Sequence, residues 1–534
     1  MQKQSYYFMI GAAALVVGAL AVTNQSLWID EGAAALKAME ATLPAWWHNL
    51  LGEGNSNLQL LGELLYLWGW EKIFGSSEVA LRASNIPFFA GGVTALAWGF
   101  SRQRARQNAI VLLGLTNAFL WYYLSEARPY VVLFCFASIM AACLFRLFHE
   151  ELDEENARSY LSKRRACHPE RSDGPHMRLS ASLQGESKNA WGVLRRALPA
   201  QDDKSICEIA ARRWFALFCI GVIGLCATSL IAVPWALGAM GAVIYWKGVR
   251  GTLNCALRSK LWSGLLIVCL GLLGLYYLWT LQIGARASGV GRTSWSNVGY
   301  IFYELSGLAG LGPGRLSLRA QGMSELAPFL PQLAVGAAAI LLLSLSGFIA
   351  VKDRLRKRHI LGLIIAIALP FALVFGAGVT GHMRLLGRHL TPLLPYLLAL
   401  MALGAAHLFA APAMWKRAMA TAAICLLLFS SLQIRLAQRH RRDDYRSAAM
   451  FARQAIASGE TVWWLADVST GLYYQVPIGS PGVSTSPENS PDLVLLSKPD
   501  TYDSSGVART YLAQHEFKEV KVLPAFQIFS RVWR

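Results

Sequence analysis

The stretch WSGLLIVCLGLLGLYYLWTL, residues 262–281, runs for twenty residues without a charged side chain. A helix needs about 20 apolar residues to cross the ~30 Å hydrocarbon core of a bilayer. Similar runs occur at 6–23, 84–101, 108–124, 129–148, 214–230, 232–247, 329–350, 359–378, 390–411 and 418–434. The pattern predicts an all-α polytopic membrane protein with about eleven transmembrane helices. Pro234 sits in the middle of the nearly continuous run 214–247, which is read as a helical hairpin. Composition agrees: hydrophobic residues make up 54% of the 534 and charged residues 15%, against about 25% charged in soluble proteins. Mean hydropathy is +0.37. A soluble protein this apolar could not cover its own surface, and disorder, collagen and disulfide-scaffold classes are excluded as the main architecture.

Fifty Lys and Arg against 32 Asp and Glu give a net charge of +18. The basic residues lie between apolar runs and are nowhere interleaved with aromatics, so the excess points to membrane orientation and not to nucleic acid. With the N-terminus inside, the inner loops carry Arg102, Arg104 and Arg106; Lys247, Arg250, Arg258 and Lys260; Lys352, Arg354, Arg356, Lys357 and Arg358; and Lys416 with Arg417. Segments 24–83, 125–128, 282–328, 379–389 and everything after 434 then face outward. The first run is read as a retained helix, since its flank holds one Lys and no sharp cleavage site precedes Asn24. None of the nine Cys falls in an outer loop, so no structural disulfide is expected.

This divides the chain into an N-terminal transmembrane module (1–148), a cytoplasmic insertion (149–213), a C-terminal transmembrane module (214–434) and an extracytoplasmic domain (435–534). Within the long outer loop 24–83, residues 58–74 are apolar but contain Glu63 and Glu71, which predicts a helix on or beside the membrane and not a span. The insertion has no hydrophobic period in CHPERSDGPHMRLSASLQGESKNA (167–190). It is expected to be disordered and is similar to translated intergenic repeats. Its His168, Cys167 and Cys207 match no zinc spacing. In the tail, TVWWLAD and DLVLLSK read as strands, RDDYRSAAMFARQAIA and SGVARTYLAQHEF as helices, and KEVKVLPAFQIFSRV as a final strand pair. A small C-terminal α/β domain on the outer face is the expectation.

Charges gather at the outer ends of spans: Asp30 and Glu31 after the first, Glu126 and Arg128 between the third and fourth, and Arg384, Arg388 and His389 before the tenth. A carboxylate can take a proton from a hydroxyl nucleophile, and Arg can hold and stabilise a phosphate as it leaves. Each group also has a structural reading. The acid pair would cap a helix, Glu126 and Arg128 would close a turn as an ion pair, and Arg384 with Arg388 would anchor headgroups. Arg286, Arg292, Arg315 and Arg319, in a Gly-rich outer loop, grip either the phosphate of a substrate or lipid headgroups; GLAGLGPG there lacks the ending of a phosphate loop.

LWIDEGAAA (27–35), NSNLQLLGELLYLWGWEKIFGSSEVALRASN (55–85), WYYLSEARPYVVLF (121–134), HMRLLGRHLTPLLPYLLAL (382–400) and RDDYRSAAMFARQ (442–454) follow one another in this order. Together they resemble the polyprenyl-phosphate-dependent GT-C glycosyltransferases. The likeness is to the protein mannosyltransferases and the bacterial lipid A aminoarabinose transferases. It covers about 1–148 and 214–450. The resemblance implies a GT-C-like bundle that transfers a sugar, with inversion, from a polyprenyl-phosphate donor to a glycan, lipid or protein acceptor. The implied location is the outer face of a bacterial cytoplasmic membrane. It implies Asp30 as general base or acceptor-orienting carboxylate, Glu31 as its support or an acceptor contact, and Arg128 with Glu126 as organisers of the site. Arg388 is implied at the donor phosphate, with Arg384 and His389 as weaker candidates. Many members carry His-Pro-Pro or Lys-Pro-Pro where this chain reads NSNLQLL, so a divalent metal cofactor stays open. The alternative is a secondary transporter or lipid flippase, which would need midplane charges and repeated halves; the sequence shows neither.

Overall fold

The computed structural model describes residues 2–53, 56–167, 201–283, 293–353, 355, 357–381, 383–485 and 490–531. Each of the eleven predicted spans falls on helix. Among the described residues eight helices are long and apolar enough to cross a membrane. The chain is a polytopic helical membrane protein with a small C-terminal sheet domain. Three expected spans are shorter or interrupted. Asn85–Phe100 is 16 residues long, and Arg213–Thr228 is the apolar part of a longer helix that begins at Gln201. The expected span 108–124 breaks at Thr116 into Arg104–Leu115 and Ala118–Leu124. Asn117 causes the break: its side chain accepts the Leu120 N–H at 3.1 Å and so starts a new helix.

Proline and glycine shape the other irregular spans. In the hairpin, Pro234 occupies the first turn of Val233–Arg258, where its missing N–H leaves no bond unmade. That helix bends at Gly248, whose φ of +73° favours glycine. Pro370 likewise starts Leu369–Thr380 after a π-helical turn at 364–368. The insertion differs from its expected limits: helix Tyr130–Cys167 continues past 149, and helix Gln201–Thr228 starts before 213. The expected disorder of 168–200 lies outside the described residues.

Glycines let the helices touch backbone to backbone, as small residues do at membrane helix crossings. A Cβ at Gly99 would lie 2.3 Å from Ala142, and one at Gly404 would lie 1.8 Å from the carbonyl oxygen of Leu343. Helix Tyr130–Cys167 is central to the bundle and packs on Asn85–Phe100, whereas Lys260–Gln282 is almost wholly exposed to what surrounds the bundle.

The two ends of the bundle differ in chemistry. At one end cations lie over aromatic rings: Arg104 over Tyr6 at 3.6 Å, Arg146 over Trp98 at 4.0 Å, and Lys247 over Trp214 at 5.3 Å. The other end carries short helices α2 (Ile29–Met39), α3 (Leu43–Glu53), α4 (Leu61–Phe74) and α5 (Glu78–Ala83). The amphipathic segment expected at 58–74 is a 3₁₀ turn followed by α4.

The tail domain stands on this second end. Strands β1 (Val462–Leu465), β2 (Val483–Ser484), β3 (Leu493–Ser497), β4 (Phe517–Leu523) and β5 (Phe526–Arg531) form one sheet in the order β2-β1-β3-β5-β4. The first three are parallel, and β5 is antiparallel to its neighbours β3 and β4. Trp464, Leu495 and Ile528 face helix Tyr445–Ala457, while Trp463, Val494 and Leu496 face helix Val507–Gln514. Burial on both faces accounts for the unbroken apolar runs VWWL and LVLL. The sequence reading lacked the two-residue β2 and the short helices Val468–Tyr473 and Pro499–Tyr502.

The crossing of 343–347 with 400–404 gives a test. Gly404→Ala forces the two backbones apart and is expected to lower stability by about 1–3 kcal/mol, the usual cost of overpacking. Gly271→Ala, with open space around it, is expected to leave the melting temperature unchanged; thermal unfolding of the two variants in detergent compares them.

Candidate functional site

The site grows from the chain that leaves the first span. Helix α2 begins at Ile29, so Asp30 and Glu31 occupy its first turn, where their negative charge complements the helix dipole. The two acids point to different surroundings. Glu31 has no exposed surface. Its Oε1 accepts from Arg82 Nε at 2.8 Å and from the Ala127 N–H at 2.9 Å. Its Oε2 accepts from Arg82 Nη2 at 2.8 Å and Arg442 Nη1 at 3.2 Å. Arg82 spends its remaining donors on the carbonyls of Thr23, Gln25 and Ser26. Burial pushes the Glu31 carboxyl up, but Arg82 and Arg442 outweigh it and hold it below the ordinary value. Every acceptor position of Glu31 is taken, so of the two parts expected for it the geometry favours support over acceptor contact.

Asp30 is the acid left partly open, with about a third of its side chain exposed. Arg388 Nη1 lies 3.5 Å from Asp30 Oδ2, and Arg128 Nη1 donates to the Asp30 carbonyl and to Asn57 Oδ1, each at 3.3 Å. The SEARPY turn, the acid turn and the start of the 387–410 helix therefore converge, although 358 residues separate Asp30 from Arg388. Arg388 also lies over the rings of Trp28 and Tyr130, at 5.5 and 5.6 Å. Among the described residues the Nε atoms of both Arg128 and Arg388 are buried without a hydrogen-bond partner. Two guanidiniums with unused buried donors beside one carboxylate make a ready anion cradle.

Glu63, expected only as a polar interruption of an apolar helix, joins this group. It is buried on α4, its Oε2 has no hydrogen-bond partner among the described residues, and burial raises its carboxyl to about 7 against the opposing charge of Arg128. Glu126 is also fully buried, with Arg442 at 3.6 Å and Arg315 at 3.9 Å. Neither Arg is within hydrogen-bond distance of it, and burial raises its carboxyl despite them.

The turn before Arg388 has its own brace. Glu304 Oε2 accepts the Gly387 N–H at 2.7 Å, and its Oε1 accepts from Arg315 Nη2 at 2.5 Å. A Cβ on residue 387 would meet Glu304 at 2.7 Å. Arg315 also bonds Tyr123 Oη at 2.6 Å and covers the Tyr122 ring at 3.8 Å. It is thus tied into the frame, and Arg319 pairs with Asp500 at 3.0 Å; Arg286 and Arg292 lie outside the described residues. His389 Nδ1 accepts the Leu386 N–H at 3.2 Å, which places the proton of the neutral ring on Nε2. Arg384 is exposed and joins none of these contacts. It lies in the extended stretch before the 3₁₀ turn at Gly387, so its four-residue spacing from Arg388 is not a helical one.

Sequence reasoning missed Arg82, Arg442, Glu304 and Asn57. Arg82 and Arg442 sit inside stretches singled out for their resemblance, SSEVALR and RDDYR, and buried Arg is rarely unpaired; that signal was present. Glu304 had none. Among the described residues no three His, Cys, Asp or Glu side chains group together as metal ligands.

No protein-family model matches the chain, and no curated protein matches it. Structural neighbours over the full chain are two crystal structures of ArnT from Cupriavidus metallidurans. Similarity to the apo form has a TM-score of 0.47 at 12% identity, covering 100% of this chain and 99% of that one. For the form bound to undecaprenyl phosphate the values are 0.45 and 12%, covering 99% and 98%.

Two predictions follow from the buried charges. Arg82→Ala leaves Glu31 short of its main partner and is expected to cost about 3–5 kcal/mol, the usual penalty for breaking a buried pair; Glu31→Gln in the same chain should recover part of it, read as melting temperature. Glu63 carries the opposite sign. Its folded-state carboxyl titrates near 7, above the unfolded value, so its contribution is fully present below pH ~4.5 and is lost as pH rises through 7. The loss amounts to about 3 kcal/mol. Glu63→Gln should flatten the melting temperature between pH 5 and 8.

Proposed function

We infer that this chain is a membrane glycosyltransferase that moves a sugar from a polyprenyl-phosphate donor to a hydroxyl of an envelope glycan, lipid or protein. The observation that carries this reading is the convergence of Arg128 and Arg388, each with an unpaired buried Nε, on the carboxylate-bearing Asp30 turn. The order of motifs along the chain, from LWIDEGAAA to RDDYR, supports the same assignment.

In this reading the donor's prenyl chain lies in the bilayer and its phosphate sits between the two guanidiniums. Asp30 accepts the proton of the acceptor hydroxyl as the hydroxyl oxygen bonds to the anomeric carbon. The bond from that carbon to the phosphate oxygen breaks, the phosphate keeps the electron pair, and the configuration inverts. Charge growing on the departing phosphate is stabilised by donors already fixed in place, which is worth most where water is excluded. The rings of Trp28 and Tyr130, each beneath the Arg388 guanidinium, wall the cradle.

The site end is proposed as the outer one. Arg102, Arg104, Lys247, Lys416 and Arg417 occupy the opposite end of the same helices, where the positive-inside rule puts the cytoplasm. A transporter would place its charges at midplane, whereas these lie at helix ends.

Asp30→Asn is expected to cut transfer by about 10²–10⁴-fold, the usual contribution of a general base, with insertion and melting temperature intact. Arg388→Ala should also weaken retention of polyprenyl phosphate. Transfer of radiolabelled sugar in membrane vesicles measures both, and full activity in Asp30→Asn would overturn the reading. Mass spectrometry of envelope glycans and lipids from a deletion strain would name the missing sugar.

A further inference from the structure

The tail domain sits directly on the turn that carries Asp30. Tyr474 Oη accepts the Leu27 N–H at 2.8 Å, lies 3.2 Å from Ser26 Oγ and donates to Glu78 Oε1 at 3.0 Å. The Arg446 N–H donates to Ser26 Oγ at 3.0 Å, while its guanidinium reaches the Asn24 carbonyl at 2.5 Å and Glu78 at 2.7 Å. Arg442, at the start of the tail, holds Glu31. Gly32 meets Thr470 so closely that a Cβ there would lie 2.2 Å from Thr470 Oγ1 and 2.7 Å from Thr470 Cα.

Trp28 is held as well. Lys498 Nζ lies 5.9 Å over its ring and pairs with Asp443, both side chains being nearly buried. Lys498 has a φ of +42°, a left-handed conformation that a non-glycine residue adopts only where its surroundings impose it. Asp467 lies two residues past β1 and Lys498 directly follows β3, two parallel neighbours, so the domain turns the carboxyl ends of its strands toward α2. That edge is where open α/β sheets present functional groups. Asn24, Ser26, Leu27, Trp28, Glu31 and Gly32 are thus all held by residues 442–498, and the Asp30 carboxylate in their midst is left to face Arg388.

We propose that the C-terminal domain is a positioning part of the transfer site: it clamps residues 24–32 and so fixes where the Asp30 carboxylate stands relative to Arg128 and Arg388. This rests on the transferase reading above. The domain acts through the backbone of the turn, and none of its residues needs to touch substrate. A displacement of about 1 Å at a reacting group can cost about 10²-fold in rate, so the clamp governs turnover and leaves the phosphate cradle as it was.

The test uses the full-length protein in lipid nanodiscs. Tyr474→Phe deletes the hydroxyl at the centre of the clamp, and Gly32→Ala wedges α2 away from Thr470. Three quantities are compared with wild type: affinity for undecaprenyl phosphate, turnover, and the ¹⁹F resonance of Trp28 in 5-fluorotryptophan-labelled protein, assigned with Trp28→Phe. Both variants are expected to keep their undecaprenyl-phosphate affinity, to lose about 10–100-fold in turnover, and to shift the Trp28 resonance; Tyr474→Phe is expected to keep its melting temperature, and Gly32→Ala to lower it by the modest cost of overpacking while staying folded at the assay temperature. Unchanged turnover with an unmoved resonance would overturn the proposal, as would a loss of turnover that only tracks loss of folded protein. If the wild type itself bound no undecaprenyl phosphate and transferred no sugar, the transferase reading would fall. The Trp28 resonance would then still decide whether the domain sets the Asp30 turn.

Discussion

The Glu31 carboxylate, closed in by Arg82 and Arg442, is the constraint around which this molecule is arranged. A lone charge with no solvent contact is prohibitively costly; a charge that meets four donors from elsewhere in the chain, besides the Trp28 N–H at the start of its own helix, is tolerable. Those donors come from α5, from the SEARPY turn and from the start of the tail. Satisfying one acid therefore fixes three distant parts of the chain against the end of the first span. Asp30, the next residue toward the N-terminus, inherits a fixed backbone without using its own side chain to obtain it. Rigid support behind the proposed general base is what catalysis by positioning requires.

The sequence was legible where the bilayer imposes its own rule. A span must be long and apolar, so all eleven predicted segments fall on helix; Asn117, which caps a new turn inside one, shows how a single short polar side chain overrides the hydropathy window. The tail strands were legible because a sheet buried on both faces reads as an unbroken apolar run. Asp30, Arg128 and Arg388 could be marked as candidates from their places at helix ends, and the structure brings them together. Arg384 shows the limit: spacing alone cannot tell an extended stretch from a helix. Glu304 shows another, since nothing local to YEL records that a glycine far along the chain needs an acceptor there.

The remaining acids show that burial and pairing can be graded. Glu31 has close donors and is held ionised; Glu126 has cations just beyond hydrogen-bond reach; Glu63 has one opposing cation and an empty oxygen. Glu31 is held in its charged form, whereas burial favours the protonated form of both Glu126 and Glu63. As Glu63 and Glu126 take up protons, the neighbourhood of Arg128 and Arg388 gains positive charge, which favours an anion arriving between them.

The Glu31 contacts also carry a timetable. Arg82 follows Glu31 by 51 residues, whereas Arg442 follows it by 411. During synthesis the first partner emerges almost at once and neutralises the acid while most of the bundle has yet to be made. The second arrives only after the last span has been laid down and the tail has begun to fold. A chain released early can thus insert with its acid safely matched while the Asp30 turn still lacks its outer half. Until residue 442 is made, Glu31 has only its partners from α5, the SEARPY turn and its own helix, and the last of its contacts waits for the tail.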